Sequence, residues 1–171
     1  MNVRIESEPG PVKRTTVERK SDREVVVTRT INGPARIVFE AFTNAELLKR
    51  WWVPKSMGMK LLSCEVDARV GGKYRLVFDH SPEPVAFFGS YVEVQPHSRL
   101  AWTNEEGGEG GGSVTTVTFE EKDGKTLVVL RERYPSKEAL DAAGTGAADA
   151  MVETFAQLDE LLVTLGESSG Q

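Results

Sequence analysis

Residues that could serve as a catalytic triad occur close together at one place in this chain. The run Asp79-His80-Ser81 contains the residue types of a hydrolase, but three consecutive side chains at the end of a strand cannot converge on one substrate atom. The second histidine, His97, follows a proline in a segment that predicts a surface turn. Neither histidine therefore predicts an acid–base site.

Metal and nucleotide sites have equally little support in the sequence. One cysteine, Cys64, and two histidines lack the ligand spacing of a zinc site, so no metal is predicted. Cys64 stands among apolar residues, which is typical of a small core hydrophobe. Gly71-Gly72 has neither of the glycine spacings that bind phosphate, and it is predicted to turn the chain between two strands. No cofactor is predicted.

Composition and charge exclude several classes of partner. The chain has 171 residues, of which 39% are hydrophobic and 27% charged, as in an ordinary globular domain. Its net charge of −5 is unfavourable for binding nucleic acid. It contains no apolar run long enough to span a membrane and no apolar stretch typical of a signal peptide. We therefore expect a cytoplasmic protein that binds neither nucleic acid nor membrane.

Aromatic side chains are the most informative set, because they occur in nearly every predicted element. They could pack together as a core, or they could line a cavity for an apolar ligand, and the sequence leaves both interpretations open. The residues predicted to line such a cavity are Phe39, Phe42, Trp52, Tyr74, Leu76, Phe78, Phe88, Trp102, Met151, Phe155 and Leu158.

Polar groups that would orient a ligand could come from Tyr74, Trp102, Arg131 and Arg133. The two arginines are two positions apart in a predicted strand, so they share one face of the sheet and Glu132 lies on the other. On the concave face they would favour an acidic head group. On the convex face they would be solvent-exposed, and the cost of burying charge favours that alternative.

The first part of the chain predicts a strand and two short helices. Residues 1–16 are polar and have no hydrophobic period, so we expect a mobile extension before a domain over 17–166. The β-branched run 25–31 predicts a strand. Asn32-Gly33-Pro34 ends it and begins a helix, with Asn32 as its cap. Thr43-Asn44-Ala45-Glu46 matches a capping box and predicts the second helix.

Six more strands and a long helix are predicted to follow. The strands are expected over 59–67, 73–79, 86–95, 99–104, 113–120 and 126–134, at the regular spacing of an antiparallel sheet. Ser136 is predicted to cap a short helix. Apolar residues in steps of three and four from Met151 to Leu165 then predict a helix over 147–165 and a disordered tail over 167–171. Gly144-Thr145-Gly146 would be a hinge or an interrupted helix start, and both interpretations stay open.

This order of elements is the helix-grip pattern, and four segments strengthen the match. Residues 30–52, 65–75, 89–94 and 99–103 resemble, in the same order, parts of domains related to the C-terminal domain of the activator of the heat shock protein ATPase. Those domains belong to the START-like (SRPBCC) superfamily. The resemblance covers about residues 17–165. It implies an α+β fold in which a curved antiparallel sheet of about six or seven strands wraps a long C-terminal helix.

The resemblance also implies a cavity between the C-terminal helix and the sheet, where a hydrophobic or amphipathic small molecule would bind. Fold analogy alone assigns no specific activity. One alternative is a polyketide cyclase-like enzyme that uses Tyr74, Glu65, Asp67 or Arg131. Another is a protein-binding domain that contacts a chaperone, or a second copy in a homodimer, through an open sheet edge or through Trp51-Trp52. Because no residue set forms a convincing catalyst, binding is favoured over an enzyme.

Overall fold

The computed structural model describes residues 2–6, 15–58, 60–79, 82–105, 112–143 and 146–169. In these residues nine antiparallel strands form one sheet, in the order β1-β2-β3-β9-β8-β7-β6-β5-β4. The strands are Asn2–Glu6 (β1), Thr15–Arg19 (β2), Glu24–Ile31 (β3), Leu61–Val66 (β4), Lys73–Phe78 (β5), Val85–Gln95 (β6), Arg99–Asn104 (β7), Ser113–Lys122 (β8) and Lys125–Arg133 (β9). The helices are Ala35–Thr43 (α1), Ala45–Trp51 (α2), Lys137–Ala143 (α3) and Gly146–Ser169 (α4), with a 3-10 turn at Lys55–Met57.

From β3 onward the order of elements is the predicted one, and the α+β helix-grip fold is confirmed. The turns follow from the sequence. Asp123 and Gly124 both have positive φ and join β8 to β9, as an Asp-Gly hairpin requires. Gly71, with φ of 86°, turns the chain between β4 and β5.

The N-terminal segment differs from the prediction of a mobile extension up to residue 16. Strand β2 pairs with β3, and β1 pairs with β2, so the sheet has nine strands rather than six or seven. The physical reason is the edge of β3, whose backbone groups would otherwise lack partners. Val17 of β2 is buried and fixes this hairpin to the core.

The start of α1 is capped by a distant residue rather than by Asn32. Pro34 occupies the cap position and makes no side-chain cap. The backbone N–H of Ala35 instead donates to the carboxylate of Glu121, at the end of β8, over 2.9 Å. The Asn32 backbone N–H donates to Asp159 Oδ1 at 3.0 Å. Tertiary contacts therefore replace the predicted local cap.

The cap of α2 is Asn44, one residue after the predicted Thr43. Asn44 Oδ1 accepts hydrogen bonds from the backbone N–H groups of Glu46 and Leu47, at 2.9 and 3.3 Å. The Thr43 hydroxyl donates to Phe39 O at 3.0 Å, because Thr43 is still the last residue of α1. At α3, the Ser136 hydroxyl accepts from Ala139 N at 3.0 Å, as predicted.

Helix α4 packs against strands β2 and β3 and against helices α1 and α2. Its 24 residues make it about 36 Å long at the usual rise per residue. It continues through Ser169, where the sequence predicted a tail, and it begins at Gly146; Gly144 and Thr145 lie outside the described residues. Among the described residues, no helix combines the length and hydrophobicity that crossing a bilayer requires.

A buried ion pair that the sequence did not predict joins α4 to the sheet. Arg29 Nη2 lies 3.1 Å from Asp159 Oδ2, and the two side chains are 1% and 4% exposed. Arg29 Nη1 also donates to Thr15 Oγ1 at 2.9 Å. Because Asp159 also accepts from the backbone of Asn32, one carboxylate links α4, β3 and the chain leading into α1.

Candidate ligand-binding cavity

A small cavity lies between strands β5–β7 and the segment that contains α1, α2 and Trp52. Its volume is about 50 Å³, which is room for roughly three to five water molecules. None of the described residues that line it has a charged side chain. The described residues that line it are Phe42, Leu48, Trp52, Tyr74, Leu76, Phe87, Tyr91, Trp102 and Asn104.

The two consecutive tryptophans have different environments. Trp51 is fully buried, its ring lies 4.8 Å from that of Phe42, and its Nε1 donates to Ala41 O at 2.9 Å. Trp52 is half-buried and lines the cavity, with its ring centroid 6.3 Å from that of Trp102. Successive residues at a helix end point about 100° apart, so one tryptophan completes the core and the next faces the cavity.

Helix α4 positions the segment that carries Trp52. The side-chain amide of Gln157 donates to Trp51 O and to Val53 O, both at 2.9 Å, and its oxygen accepts from Lys55 N at 2.9 Å. One turn away, the Glu153 carboxylate accepts from the Ser56 hydroxyl and backbone N–H, at 2.5 and 3.0 Å. These two hydrogen bonds from Ser56 lower the pKa of Glu153.

We expect Gln157→Leu to lower the free energy of unfolding by about 2–3 kcal/mol. Leucine keeps most of the volume but leaves three backbone groups without their partner, and each lost hydrogen bond costs about 1 kcal/mol. Urea denaturation measures the change. Glu160→Leu is the matched control, because Glu160 is exposed on the same helix. A loss no larger than that of the control would contradict the positioning role.

Strands β5 and β6 form one wall of the cavity. Leu76 pairs with Phe87 and Tyr74 pairs with Gly89, which puts these positions on one face of the sheet. A Cβ atom at Gly89 would lie 1.8 Å from Thr103 O and 3.0 Å from Tyr74 Cε2, so glycine leaves the space in which the Tyr74 ring lies. The Tyr74 hydroxyl is 2.8 Å from Thr103 O.

Tyr91 and Trp102 are cross-strand partners with ring centroids 6.3 Å apart. They are only 4% and 8% exposed. Within the described part of the chain, neither the Tyr91 hydroxyl nor the Trp102 indole N–H makes a hydrogen bond. Burial, with smaller contributions from Cys64 and Asp67, raises the pKa of Tyr91, so its hydroxyl keeps its proton.

The structure brings together part of the predicted cavity set. The predicted residues that line the cavity are Phe42, Trp52, Tyr74, Leu76 and Trp102. Five others lie in the closely packed core and are not among the described lining. They are Phe39, Phe78, Met151, Phe155 and Leu158. The described cavity therefore lies beside α1 and α2 and not beneath α4, where Phe155 and Leu158 fill the space.

Phe88 lies on the opposite face from the one predicted. It pairs with Arg75 on the outer face and is 36% exposed, whereas Phe87 faces the cavity. Arg131 and Arg133 are also exposed on the outer face. Of the two alternatives that the sequence left open, they therefore face solvent rather than the cavity. Arg131 Nη1 lies 3.9 Å from Glu24 Oε1.

Four lining residues were missing from the predicted set: Leu48, Phe87, Tyr91 and Asn104. Leu48 is four positions before Trp52 and could have been found from helical spacing. Phe87 and Tyr91 share the alternation of β6 but required knowledge of which face is concave. Asn104 ends β7, and no local pattern indicates it.

Most of the acid–base candidates lie away from the cavity. Glu65 and Asp67 are exposed, and Asp67 pairs with Arg69 over 3.0 Å. Of the four candidates for a cyclase, Tyr74 is the one within the described lining. His97 has φ of 70° in the turn before β7. His80 and Ser81 lie outside the described residues.

The cysteine and the acidic residues form no metal site in the described ranges. Cys64 is half-buried and packs against the core, as predicted. Burial raises the pKa of the Cys64 thiol, so this residue is not a reactive thiolate at neutral pH.

Solved structures from three bacteria have a similar fold. A Rhodobacter sphaeroides protein is 22% identical with a TM-score of 0.75, covering 96% of this chain and 99% of its own. A Nitrosomonas europaea protein is 21% identical with a TM-score of 0.75, covering 86% and 98%. A Mycobacterium smegmatis protein is 21% identical with a TM-score of 0.73, covering 85% and 94%. At these identities the likeness shows the fold alone.

The family of the chain is shown by its sequence rather than by these structures. No curated protein matches the chain. A model of the family described as "Activator of Hsp90 ATPase homolog 1-like protein" matches residues 32–163, which is well over half of the sequence. The chain therefore belongs to the Activator of Hsp90 ATPase homolog 1-like family.

Proposed function

We propose that this protein binds a hydrophobic or amphipathic small molecule in the cavity beside α1 and α2. The observation that carries the proposal is the lining, which is aromatic and aliphatic with few polar groups and no charge among the described residues. Ligand sites in proteins have this composition. The family is compatible with it, because the superfamily that the sequence resembles includes carriers of apolar molecules.

The size of the cavity limits how the ligand is held. A fully enclosed drug-sized ligand requires roughly 300–1,000 Å³, whereas about 50 Å³ is present. Phe87 is 40% exposed, and Trp52, Tyr74 and Asn104 are half-buried, so the cavity opens to solvent past these residues. We therefore expect the cavity to enclose only part of the ligand, while the remainder lies at this opening.

The test uses two neutral aromatic probes, acetophenone and α-methylstyrene, in NMR titrations of the labelled protein. We expect saturable shifts at the lining residues for at least one probe. Leu48→Phe is expected to abolish them, because the larger ring fills the space in which the probe would lie. A cavity-filling change at this site is expected to alter the free energy of unfolding by no more than about 1–2 kcal/mol.

Leu62→Phe is the matched control for this experiment. It makes the same substitution on β4, at a side chain that is 50% exposed and outside the described lining. Probe binding is expected to be unchanged in this variant. The proposal fails if neither probe gives saturable shifts, or if both variants bind as the unaltered protein does.

A second candidate function is contact with a chaperone, and it is favoured by the description of the matching family. The open edge of the sheet at β4 offers backbone groups and the exposed Leu62 for such a contact. Stimulation of Hsp90 ATPase activity by the full chain tests it. Loss of stimulation in a Leu62→Lys variant would locate the contact at β4, whereas the same edge used by a second copy would produce a dimer in sedimentation experiments.

A further inference from the structure

We propose that the ligand of this cavity is a neutral molecule that presents a hydrogen-bond acceptor oxygen, such as a carbonyl, to Tyr91 and Trp102. This inference rests on the proposed function and specifies the chemical class of the ligand. It derives from two donors on largely buried side chains that line the cavity; neither makes a hydrogen bond within the described residues, and both donor atoms reach solvent-accessible space.

Buried tyrosine hydroxyls and indole N–H groups usually have a hydrogen-bond partner. The other tryptophan of the core follows this rule, because Trp51 Nε1 donates to Ala41 O. The polar groups of Tyr74 and Asn104 also have partners: the Tyr74 hydroxyl is 3.1 Å from Asn104 Oδ1, and Asn104 Nδ2 donates to Thr115 Oγ1 at 2.9 Å. Among the described lining residues, Tyr91, Trp102 and the half-buried Trp52 therefore carry donors without a protein partner, and Tyr91 and Trp102 are the two whose side chains are largely buried.

The Trp102 indole N–H and the Tyr91 hydroxyl can both donate a hydrogen bond, and this determines which ligand groups they can bind. An indole N–H donates and cannot accept, and a protonated tyrosine hydroxyl can donate to the same acceptor. The raised pKa of Tyr91 keeps that hydroxyl protonated over the physiological range. The two rings pack edge-to-face with centroids 6.3 Å apart, so a ligand oxygen in the cavity beside them would be offered both donors.

The lining of the cavity favours a neutral ligand over an anion or a cation. A carboxylate would lose its hydration without meeting a cationic side chain in the described lining, and this is costly. A quaternary ammonium would gain cation–π contacts with the four aromatic rings of Trp52, Tyr74, Tyr91 and Trp102. The positive ends of the unpartnered donor dipoles oppose it. A neutral carbonyl avoids both penalties.

The test compares four probes that share a phenyl ring. Acetophenone carries a carbonyl, α-methylstyrene replaces that carbonyl by an isosteric alkene, benzoate carries an anion and phenyltrimethylammonium carries a cation. We expect acetophenone to bind about tenfold more tightly than α-methylstyrene, because the alkene displaces water from these donors without replacing its hydrogen bonds. Benzoate and phenyltrimethylammonium are expected to bind more weakly than acetophenone.

Tyr91→Phe removes one donor and keeps the ring. Because the Tyr91 hydroxyl has no partner in the described structure, we expect the variant to fold normally and its preference for acetophenone to fall to about threefold or less. Tyr134→Phe is the matched control, because the Tyr134 hydroxyl donates to Glu132 at 3.1 Å and lies outside the described lining. Its preference is expected to be unchanged.

An independent readout is the indole N–H signal of Trp102 in a ¹H–¹⁵N spectrum, assigned with Trp102→Phe. We expect acetophenone to move it downfield and α-methylstyrene to leave its hydrogen-bonding state unaltered. Equal binding of the two isosteres, tighter binding of either ion, or an unchanged preference in Tyr91→Phe would overturn the inference while the proposed function stands. If neither acetophenone nor α-methylstyrene binds, the proposed function fails and the inference fails with it.

Discussion

Asp159→Ala is expected to lower the free energy of unfolding by about 3–5 kcal/mol, because it removes the Asp159 carboxylate from the buried Arg29 guanidinium. The two side chains are almost completely removed from solvent, so water cannot replace the lost partner. The same variant removes the acceptor of the Asn32 backbone N–H. Chemical denaturation followed by circular dichroism measures the loss.

Two further variants separate charge burial from simple packing in this experiment. Arg29→Leu combined with Asp159→Leu removes both charges, and we expect it to recover much of the stability lost in Asp159→Ala. Lys49→Ala breaks an exposed ion pair with Glu46 and is expected to cost less than about 0.5 kcal/mol. A cost for Asp159→Ala as small as that of Lys49→Ala would show that the buried pair does not hold α4 on the sheet.

Phe155→Ala is expected to cost about 3–5 kcal/mol of folding free energy while leaving probe affinity unchanged. Phe155 is fully buried on the inner face of α4, and its ring centroid lies 6.2 Å from that of Trp51. It belongs to the packed core and not to the described lining of the cavity. Removing its ring therefore creates a void in the core rather than altering the binding site.

The experiment measures unfolding by denaturant and probe affinity at a temperature where the variant is folded. Val163→Ala, on the exposed side of the same helix, is the control and is expected to change stability by less than about 0.5 kcal/mol. An affinity for acetophenone that changes strongly in Phe155→Ala, with the fold intact, would mean that the cavity reaches beneath α4, as the sequence predicted.

The proposed site differs from the predicted one in the element that encloses it. Helix α4 does not contribute a described lining residue, yet Gln157 fixes the backbone on both sides of Trp52. A movement of α4 would therefore change the cavity through Trp52. In this arrangement the long helix supports the site rather than covering the ligand.

Local patterns in the sequence were sufficient for most of the secondary structure. The β-branched run before Asn32, the Asp-Gly turn at Asp123 and the apolar period from Met151 to Leu165 each predicted an element that is present. The spacing of apolar residues in a strand or helix shows which of its faces is buried, and this spacing can be read from the local sequence. The resemblance of the four segments added the topology, which periodicity alone does not specify.

The N-terminal strands and the helix caps depend on long-range contacts. Residues 15–19 become a strand because the edge of β3 is available for pairing, and residues 2–6 then pair with the edge of β2. Glu121 caps α1 across 86 positions of sequence. Such partners are set by the folded chain, so no local pattern could identify them.

The cavity was likewise predicted only in part from the sequence. From sequence alone, the aromatic residues of β5, β7 and the Trp51-Trp52 segment were assigned to a core or a cavity, and five of the predicted residues line the site. Which of Phe87 and Phe88 faces inward was decided by the pairing of Leu76 with Phe87, since a shift of one residue exchanges the two faces of a strand. The register of β6 on β7 places Tyr91 opposite Trp102. The sequence alone could not predict that their donors lack protein partners, because the tertiary structure determines which polar groups find partners.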